Sequence, residues 1–187
     1  MPEYANLVKE FMNKLNIEKP HVIAHSFGGR VTIYLASLYN DLFDKIVLVD
    51  AAGVKPKVSS KKQFKIFMFK CGKLYIKITT TKDKFEEKLN EYRKKFASSD
   101  YSAIKSDVVR QTFSKVINLD LTRNLKDIKN SVLLMWGEND MDTPLYMAKI
   151  MEKNIEDSGL VVLKNAGHFS YIDASKEFNL IVDNFLH

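Results

Sequence analysis

The 187-residue sequence predicts an α/β fold with a mostly parallel sheet of about four strands, flanked by helices, and a helical insertion. Short β-branched runs alternate with segments whose apolar residues recur at helical spacing, which is typical of parallel sheets covered by helices. Between residues 54 and 125 this alternation stops and only the helical spacing continues. We therefore assign residues 1–53 and 126–187 to one α/β core and residues 54–125 to a helical insertion.

The elements of the core are predicted from their own patterns, β-branched or apolar runs for strands and a 3.6-residue apolar period for helices. Strands are predicted at residues 21–25, 45–51, 132–136 and 160–164. Helices are predicted at residues 3–16, 27–39, 145–154 and 175–186. Strand and helix alternate along the core, so the loops after the strands are expected to gather at the carboxyl edge of the sheet.

The insertion shows three runs of apolar residues at helical spacing. They are Phe64, Phe67, Met68, Cys71, Leu74, Tyr75 and Ile78, then Phe85, Leu89, Tyr92 and Phe96, then Tyr101, Ile104 and Val108. Residues 55–95 hold fourteen Lys or Arg against four Asp or Glu, a local charge of +10, so the rest of the +6 chain carries −4. We interpret this charge as a solvated surface, with a membrane surface or an anionic partner as the alternatives.

The composition fits a globular domain, with 45% apolar and 11% aromatic residues. The single cysteine, Cys71, cannot form an internal disulfide, which fits a reducing compartment. No signal-peptide pattern and no apolar run of membrane-spanning length occurs. We therefore expect a cytoplasmic protein.

Ser26 is a candidate nucleophile because it lies between a β-branched strand and a helix, in the run AHSFGG. A sharp strand-to-helix turn presents a serine Oγ outside the backbone, and it requires small residues two positions to either side. Ala24 and Gly28 meet this requirement, although alanine stands in place of the first glycine of G-x-S-x-G. The alternative is that Ser26 only caps the helix that follows.

His168 is the best candidate for the base that a serine nucleophile needs. It follows an apolar strand and a small-residue turn, in the run NAGHF. His21 opens the first strand and His187 is the last residue, while His25 is adjacent to Ser26 and is expected to point to the opposite face.

Asp140 is the candidate for the acid that orients this base. It lies in the loop after the strand at residues 132–136, in the run WGENDMDTP. Asp142 in the same loop and Asp50 at the end of the strand at residues 45–51 remain open as alternatives. Asp142 can also be interpreted as a cap for the following helix.

Together the runs AHSFGG, WGENDMDTP and NAGHF resemble the α/β-hydrolase superfamily, in particular its capped branch of esterases, lipases and carbon–carbon bond hydrolases. Their order, Ser then Asp then His, is the order of that family. The resemblance implies Ser26 as nucleophile, Asp140 as acid, His168 as base and the Phe27 backbone N–H as an oxyanion-hole donor. It also implies that the insertion at residues 54–125 is a cap over the active site. The function it implies is that of a serine hydrolase, which acts on carboxylic esters or related small acyl compounds and needs no cofactor.

By the same resemblance, the sequence corresponds to the C-terminal part of an α/β-hydrolase fold, because only one helix precedes Ser26. The part without counterpart includes the loop that supplies a second oxyanion-hole donor. Loss of one such donor costs about 100- to 1000-fold in rate, so an impaired hydrolase or a binding module is the alternative function. The strand at residues 21–26 would have an open edge, which we expect to pair in a homodimer or with an upstream partner polypeptide.

Signatures of other functions are absent from the sequence. It contains no C-x-x-C, its histidines are not at ligand spacing, and no dinucleotide- or phosphate-binding glycine motif occurs. We therefore expect no metal and no cofactor. No recognised nucleic-acid-binding module accompanies the basic charge, so we expect no nucleic-acid partner.

Overall fold

The computed structural model describes residues 1–57, 60–81, 84–85, 87–89, 91–92, 109, 112 and 115–187. The chain divides into two compact units, one formed by Met1–Pro56 with Leu119–His187 and the other by Lys57–Asn118. Four residues of the predicted insertion helices lie outside the described residues: Phe96, Tyr101, Ile104 and Val108.

The first unit is built on a four-stranded sheet with the order β1-β2-β3-β4, in which all three neighbouring pairs are parallel. The strands are β1 (Val22–His25), β2 (Ile46–Val49), β3 (Val132–Gly137) and β4 (Ser158–Leu163). Because the strands are parallel, their carboxyl ends meet at one edge of the sheet. The parallel sheet flanked by helices confirms the predicted fold class.

The helices that the structure describes in full agree with the predicted ones to within two residues at each end, wherever a helix was predicted in the core. They are α1 (Pro2–Lys14), α2 (Phe27–Leu38), α3 (Ser60–Thr79), α4 (Tyr146–Asn154), α5 (Ser170–Asp173) and α6 (Ser175–Leu186), with a 3-10 helix at Thr122–Asp127. The short α5 and the 3-10 helix were not predicted, because an apolar period is not visible over four to six residues.

The two central strands are buried along their whole length. One hydrophobic cluster, which includes Ile33 of α2, Trp136 and Met151, covers one face of the sheet. A second cluster, which includes Met135 and Phe178 of α6, covers the other face. Full burial contributes about 1.5–3 kcal/mol for each large apolar side chain, so the ends of β2 and β3 are held in a well-packed core.

Strand β1 is less covered and forms one edge of the described sheet. The N–H groups of Val22 and Ser26 donate to carbonyls of the β2 segment, so the N–H and C=O of Ile23 point away from it. The Ile23 side chain is 53% exposed. Beside it lies an open groove of about 490 Å³, lined mainly by α6 residues such as Phe178 and Leu186.

Within the predicted insertion 54–125, the residues nearest its two ends belong to the first unit. Val54, Leu121 and Leu125 lie in the hydrophobic cluster with Trp136. The two chain segments are also joined there, because the N–H of Leu121 donates to the Gly53 carbonyl at 2.8 Å.

The second unit contains α3, which packs against Tyr92. The Tyr92 ring stacks on Phe69 with 5.4 Å between centroids, and its hydroxyl donates to the Met68 carbonyl at 3.2 Å. A Cβ added to Gly72 would overlap the Tyr92 ring, so glycine permits this close approach. No helix in the described ranges combines the length and the apolarity needed to cross a bilayer.

Candidate active site

Ser26 occupies the turn between β1 and α2 and has an unusual backbone conformation, with φ 48° and ψ −111°. A positive φ at a residue other than glycine costs about 1–3 kcal/mol and persists only when the surroundings enforce it. Here the Ser26 N–H donates to the Val49 carbonyl at 3.0 Å, and the Ala52 N–H donates to the Ser26 carbonyl at 2.9 Å. The neighbouring β2 segment therefore holds the turn on both sides.

The two glycines after Ser26, Gly28 and Gly29, differ in the space that is available for a side chain. A Cβ added to Gly28 would lie 3.8 Å from the Ala24 Cβ, which is ordinary contact. A Cβ added to Gly29 would overlap the Ala51 Cβ and lie 3.2 Å from the Ala51 Cα. The lack of a side chain is thus required at Gly29, next to Ala51, although the expected steric requirement concerned Gly28.

The structure brings the three predicted site residues together. Nε2 of His168 lies 3.0 Å from Ser26 Oγ, and Nδ1 of His168 lies 2.9 Å from Asp140 Oδ2. When Nδ1–H donates to the carboxylate, Nε2 is left as an acceptor for the serine hydroxyl. Ser26 precedes α2 but makes no side-chain capping bond to it, so the capping interpretation of Ser26 is wrong.

Asp140 is buried and accepts hydrogen bonds on both carboxylate oxygens. The N–H groups of Asp142 and Thr143 donate to Oδ1 at 2.8 and 3.0 Å, and the Thr143 hydroxyl lies 2.6 Å from Oδ2. Burial raises the pKa of Asp140, but the hydrogen bonds from His168, Thr143 and Asp142 outweigh burial and bring the pKa below its usual value. The carboxylate is therefore kept charged beside the imidazole.

The alternative Asp142 has a different role. Its side chain is exposed, and its backbone N–H serves as a donor to Asp140. Helix α4 begins without a side-chain capping bond, so the interpretation of Asp142 as a cap is wrong.

The alternative Asp50 is fully buried and joins three segments of the first unit. Its Oδ1 accepts the N–H of Gly137 at 2.8 Å, and its Oδ2 accepts the N–H and the hydroxyl of Ser170 at 3.1 and 2.6 Å. Burial raises the pKa of Asp50, although the bonds from Ser170 and Gly137 oppose this rise, and the nearby Asp140 charge adds to it. Asp50 also has a positive φ, 44°.

Sequence reasoning missed two hydroxyl groups at this site. Thr143 Oγ1 lies 2.9 Å from the Asp50 carbonyl, 2.6 Å from Asp140 Oδ2 and 3.4 Å from His168 Nδ1. Ser170 links the segment after His168 to Asp50. Small hydroxyl residues are common in loops, so no local signal marked either of them.

His25 was expected to lie away from the site, but it contacts the candidate base. Its Nε2 lies 2.7 Å from the His168 carbonyl oxygen, and the two rings have centroids 4.9 Å apart. The His25 ring also lies against Phe169 and Tyr171. His25 therefore supports the backbone that carries His168.

Two further features bear on the chemistry. Phe27, the residue after Ser26, is the first residue of α2, so its N–H has no intrahelical acceptor. Among the described residues, Asp140, Asp142 and His168 form a group whose ligand atoms could hold a metal ion. Two of those atoms, His168 Nδ1 and Asp140 Oδ2, already contact each other at 2.9 Å.

Comparison with known proteins shows which family this chain resembles. The family described as "alpha/beta hydrolase fold" matches residues 1–175. The 2-hydroxy-6-oxo-6-phenylhexa-2,4-dienoate hydrolase of Comamonas testosteroni is 24% identical over 193 residues, which cover 97% of this chain and 68% of that protein. The putative carbamate hydrolase RutD of a Caulobacter species is 23% identical over 191 residues, 96% of this chain and 69% of that protein.

Solved structures share the fold. The meta-cleavage product hydrolase of Pseudomonas fluorescens IP01 superposes with a TM-score of 0.67 at 20% identity, covering 99% of this chain and 71% of that chain. At this identity the likeness concerns the fold alone. With the family match over residues 1–175 and the sheet described above, this chain belongs to the α/β-hydrolase family.

Proposed function

We propose that this protein is a serine hydrolase in which Ser26 is the nucleophile, His168 the general base and Asp140 the orienting acid. The observation that carries the proposal is the continuous chain of contacts from Ser26 Oγ through the imidazole to the buried Asp140 carboxylate. An isolated serine hydroxyl is a weak nucleophile, and an adjacent, oriented base is what activates it.

The reaction proceeds in two halves. His168 Nε2 removes the Ser26 proton as Oγ bonds to the acyl carbon, and the carbonyl electron pair moves onto oxygen, where the Phe27 N–H donates to it. The intermediate collapses, and the protonated imidazole gives its proton to the leaving group. Water then releases the acyl group by the same steps, and Asp140 stabilises the imidazolium in both halves.

The substrate class that we propose is a carboxylic ester or a related small acyl compound. Phe27 and Phe169, which flank Ser26 and His168 in sequence, are both partly exposed, at 38% and 51%. Apolar surface beside a nucleophile favours a substrate with an apolar group near its carbonyl.

The experiment that tests the proposal is hydrolysis of a short-chain nitrophenyl ester by the wild-type protein and by Ser26→Ala. We expect the variant to lose at least about 1000-fold in kcat, since removal of a nucleophile from such a unit is severe. Asp142→Asn is the matched control, because its carboxylate is exposed and its contact with Asp140 is made by the backbone N–H, which the substitution keeps. Equal rates for wild type and Ser26→Ala would remove Ser26 from the mechanism.

A second candidate reaction is suggested by the relatives. Two of them have names that describe 2-hydroxy-6-oxo compounds, and hydrolysis at a 6-oxo carbonyl breaks a carbon–carbon bond. The same attack by Ser26 and proton transfer by His168 would serve, with carbon in place of oxygen as the leaving atom. Turnover of such a dienoate with kcat/KM well above that for the nitrophenyl ester would favour this reaction.

The alternative to both is a binding role without chemistry at Ser26. A fluorophosphonate separates these functions because it labels only a serine hydroxyl that is activated. We expect labelling of wild type at Ser26 and reduced labelling of His168→Ala. An unlabelled but folded wild-type protein would support the binding role.

A further inference from the structure

Helix α3 exposes a long apolar stripe in the second unit. Six large side chains at positions spaced by three, four or seven residues lie on one side of the helix. Their exposed fractions are 64% for Phe64, 60% for Phe67, 45% for Met68, 58% for Leu74, 69% for Tyr75 and 74% for Ile78. Cys71, which completes the spacing, is also exposed. The helix that this spacing predicts is present as α3, but the face that these side chains form is exposed.

The packing of the second unit uses the other side of α3. Phe69 and Gly72 contact Tyr92, and with Ile76 they are half-buried. On an ideal helix, these three positions lie roughly 80–140° around the helix axis from Phe64. The side chains of the stripe occupy a different arc, which is about 120° wide and is centred near Phe64. The stripe is therefore a separate face and not the loose edge of a packed one.

The charge next to the stripe is of one sign. Lys70 and Lys77 lie along one flank and are exposed, whereas Lys73, also exposed, lies on the far side of the helix. Residues 51–82 contain nine lysines (positions 55, 57, 61, 62, 65, 70, 73, 77 and 82) and no Asp or Glu. A partner whose surface covers the stripe would contact Lys70 and Lys77 at its border. Its surface must therefore be compatible with the positive charge of these lysines.

We propose that α3 is an interfacial helix that docks the protein on an anionic lipid bilayer. The stripe would enter the boundary between headgroups and acyl chains, and the lysines would contact the acidic headgroups. The helix has 20 residues, so it is about 30 Å long and would lie along the surface without crossing it. Phenylalanine and leucine, both present in the stripe, are residue types that such helices place at this depth.

The chemistry of the stripe favours a bilayer over an acidic protein helix. A wide stripe of aromatic side chains, with lysines whose flexible stems can reach past it, is suited to a soft surface with a high density of negative charge. This docking is independent of the reaction at Ser26 and would stand if the hydrolase proposal failed.

The test is co-sedimentation of the full chain with vesicles at low salt. The vesicles are phosphatidylcholine alone and an equal mixture of phosphatidylcholine and phosphatidylglycerol. We expect binding to the mixture and little binding to phosphatidylcholine, with affinity falling as salt is added. Each lysine near an anionic surface contributes about a fivefold gain in affinity, so K70Q/K77Q is expected to bind about 25-fold more weakly. The matched control is K149Q/K153Q, which removes the same charge from exposed positions in the first unit and is expected to bind like wild type.

The apolar part is tested with F67Q/L74Q, which leaves the charge unchanged. We expect vesicle binding about 10- to 100-fold weaker for each lost apolar side chain, with an unchanged Tm. A lower Tm would mean that the stripe is covered by the rest of the chain and would overturn the proposal. A dimer in the wild type that F67Q/L74Q dissociates would assign the stripe to a second copy and overturn it as well. Wild-type protein that stays in the supernatant with the mixed vesicles would also overturn it.

Discussion

The buried carboxylate of Asp50 accepts two hydrogen bonds from Ser170, one from the backbone N–H at 3.1 Å and one from the hydroxyl at 2.6 Å. These bonds join the end of β2 to the residue at the start of α5, two positions after His168. The segment that follows His168 is therefore held by a carboxylate at the end of a central strand, in addition to the bond between the imidazole and Asp140.

Replacing Asp50 with alanine is expected to destabilise the fold strongly. The change leaves the N–H of Gly137 and both donors of Ser170 without their acceptor, and each unsatisfied buried donor costs about 1–3 kcal/mol. We expect a loss of about 3–5 kcal/mol in the free energy of unfolding, measured with urea. Asp142→Ala, at an exposed carboxylate, is the control and should change it by less than about 0.5 kcal/mol. A mild effect of Asp50→Ala would contradict the joining role.

The Thr143 hydroxyl is expected to matter for the rate. It lies 2.6 Å from the oxygen of Asp140 that also contacts His168. Hydrogen bonds to charged groups contribute about 1.5–3 kcal/mol, so Thr143→Val should lower kcat by about 10- to 100-fold. Thr143→Ser keeps the hydroxyl and should recover most of the rate. A Thr143→Val rate equal to that of wild type would contradict a role for the hydroxyl.

Asp140 and Asp50 are expected to give opposite pH dependences of stability. The folded-state pKa of Asp140 is lowered, because its hydrogen bonds outweigh burial. Asp140 thus contributes to the free energy of unfolding above its pKa in the unfolded chain. This contribution is lost as the pH falls through its pKa in the folded protein. The folded-state pKa of Asp50 is raised, mainly by burial. The contribution of Asp50 to the free energy of unfolding is thus fully present below its pKa in the unfolded chain. It is lost as the pH rises through its pKa in the folded protein.

The two dependences can be separated with Asp140→Asn and Asp50→Asn. The first variant should lose less stability than wild type on acidification below about pH 4. The second should lose less than wild type when the pH is raised from about 4 towards neutrality. The measurement is the urea midpoint as a function of pH, with the exposed Asp183→Asn as control. Parallel curves for all four proteins would contradict both pKa directions.

Gly29 and Gly28 should respond differently to alanine. At Gly29 the new Cβ would overlap the Ala51 Cβ, whereas at Gly28 it would make an ordinary contact with Ala24 at 3.8 Å. Overpacking of this kind costs about 1–3 kcal/mol, so Gly29→Ala should unfold at a lower urea concentration. Gly28→Ala should be neutral or slightly stabilising, because alanine favours helix. A larger loss at Gly28 would show that the turn needs glycine there for another reason.

We propose that the open edge of β1 pairs with a β-strand of a second copy or of another polypeptide. Ile23 is 53% exposed there, and its backbone N–H and C=O point away from β2. Ile23→Lys should block such pairing, because charged residues protect exposed strand edges. Sedimentation velocity should find wild type larger than a monomer and Ile23→Lys shifted towards the monomer. A wild-type protein that is monomeric and stably folded would contradict the homodimer.

The parts of the fold and the site that could be predicted are those encoded locally. Strand β3 is a continuous apolar run, α2 has a helical period, and Ser26, Asp140 and His168 each follow a strand within a short, recognisable run. Parallel strands bring such positions to one edge, which is why their proximity could be expected.

The remaining contacts connect residues that no local pattern relates. The bond between Ser170 and Asp50 spans 120 residues, and the one between His25 and the His168 carbonyl spans 143. A hydroxyl or an imidazole has many possible partners, and only the folded arrangement selects one. Similarly, the spacing of Phe64, Phe67 and Leu74 predicts a helix but does not determine whether that face is covered.

The left-handed backbone of Ser26 means that stability and turnover favour different residues at this position. Its φ of 48° and ψ of −111° belong to a region that glycine occupies at little cost. A lineage selected only for resistance to unfolding would drift towards glycine at this position. Retention of a hydroxyl-bearing residue there is what a lineage under selection for turnover would show, at the expense of a less robust native state.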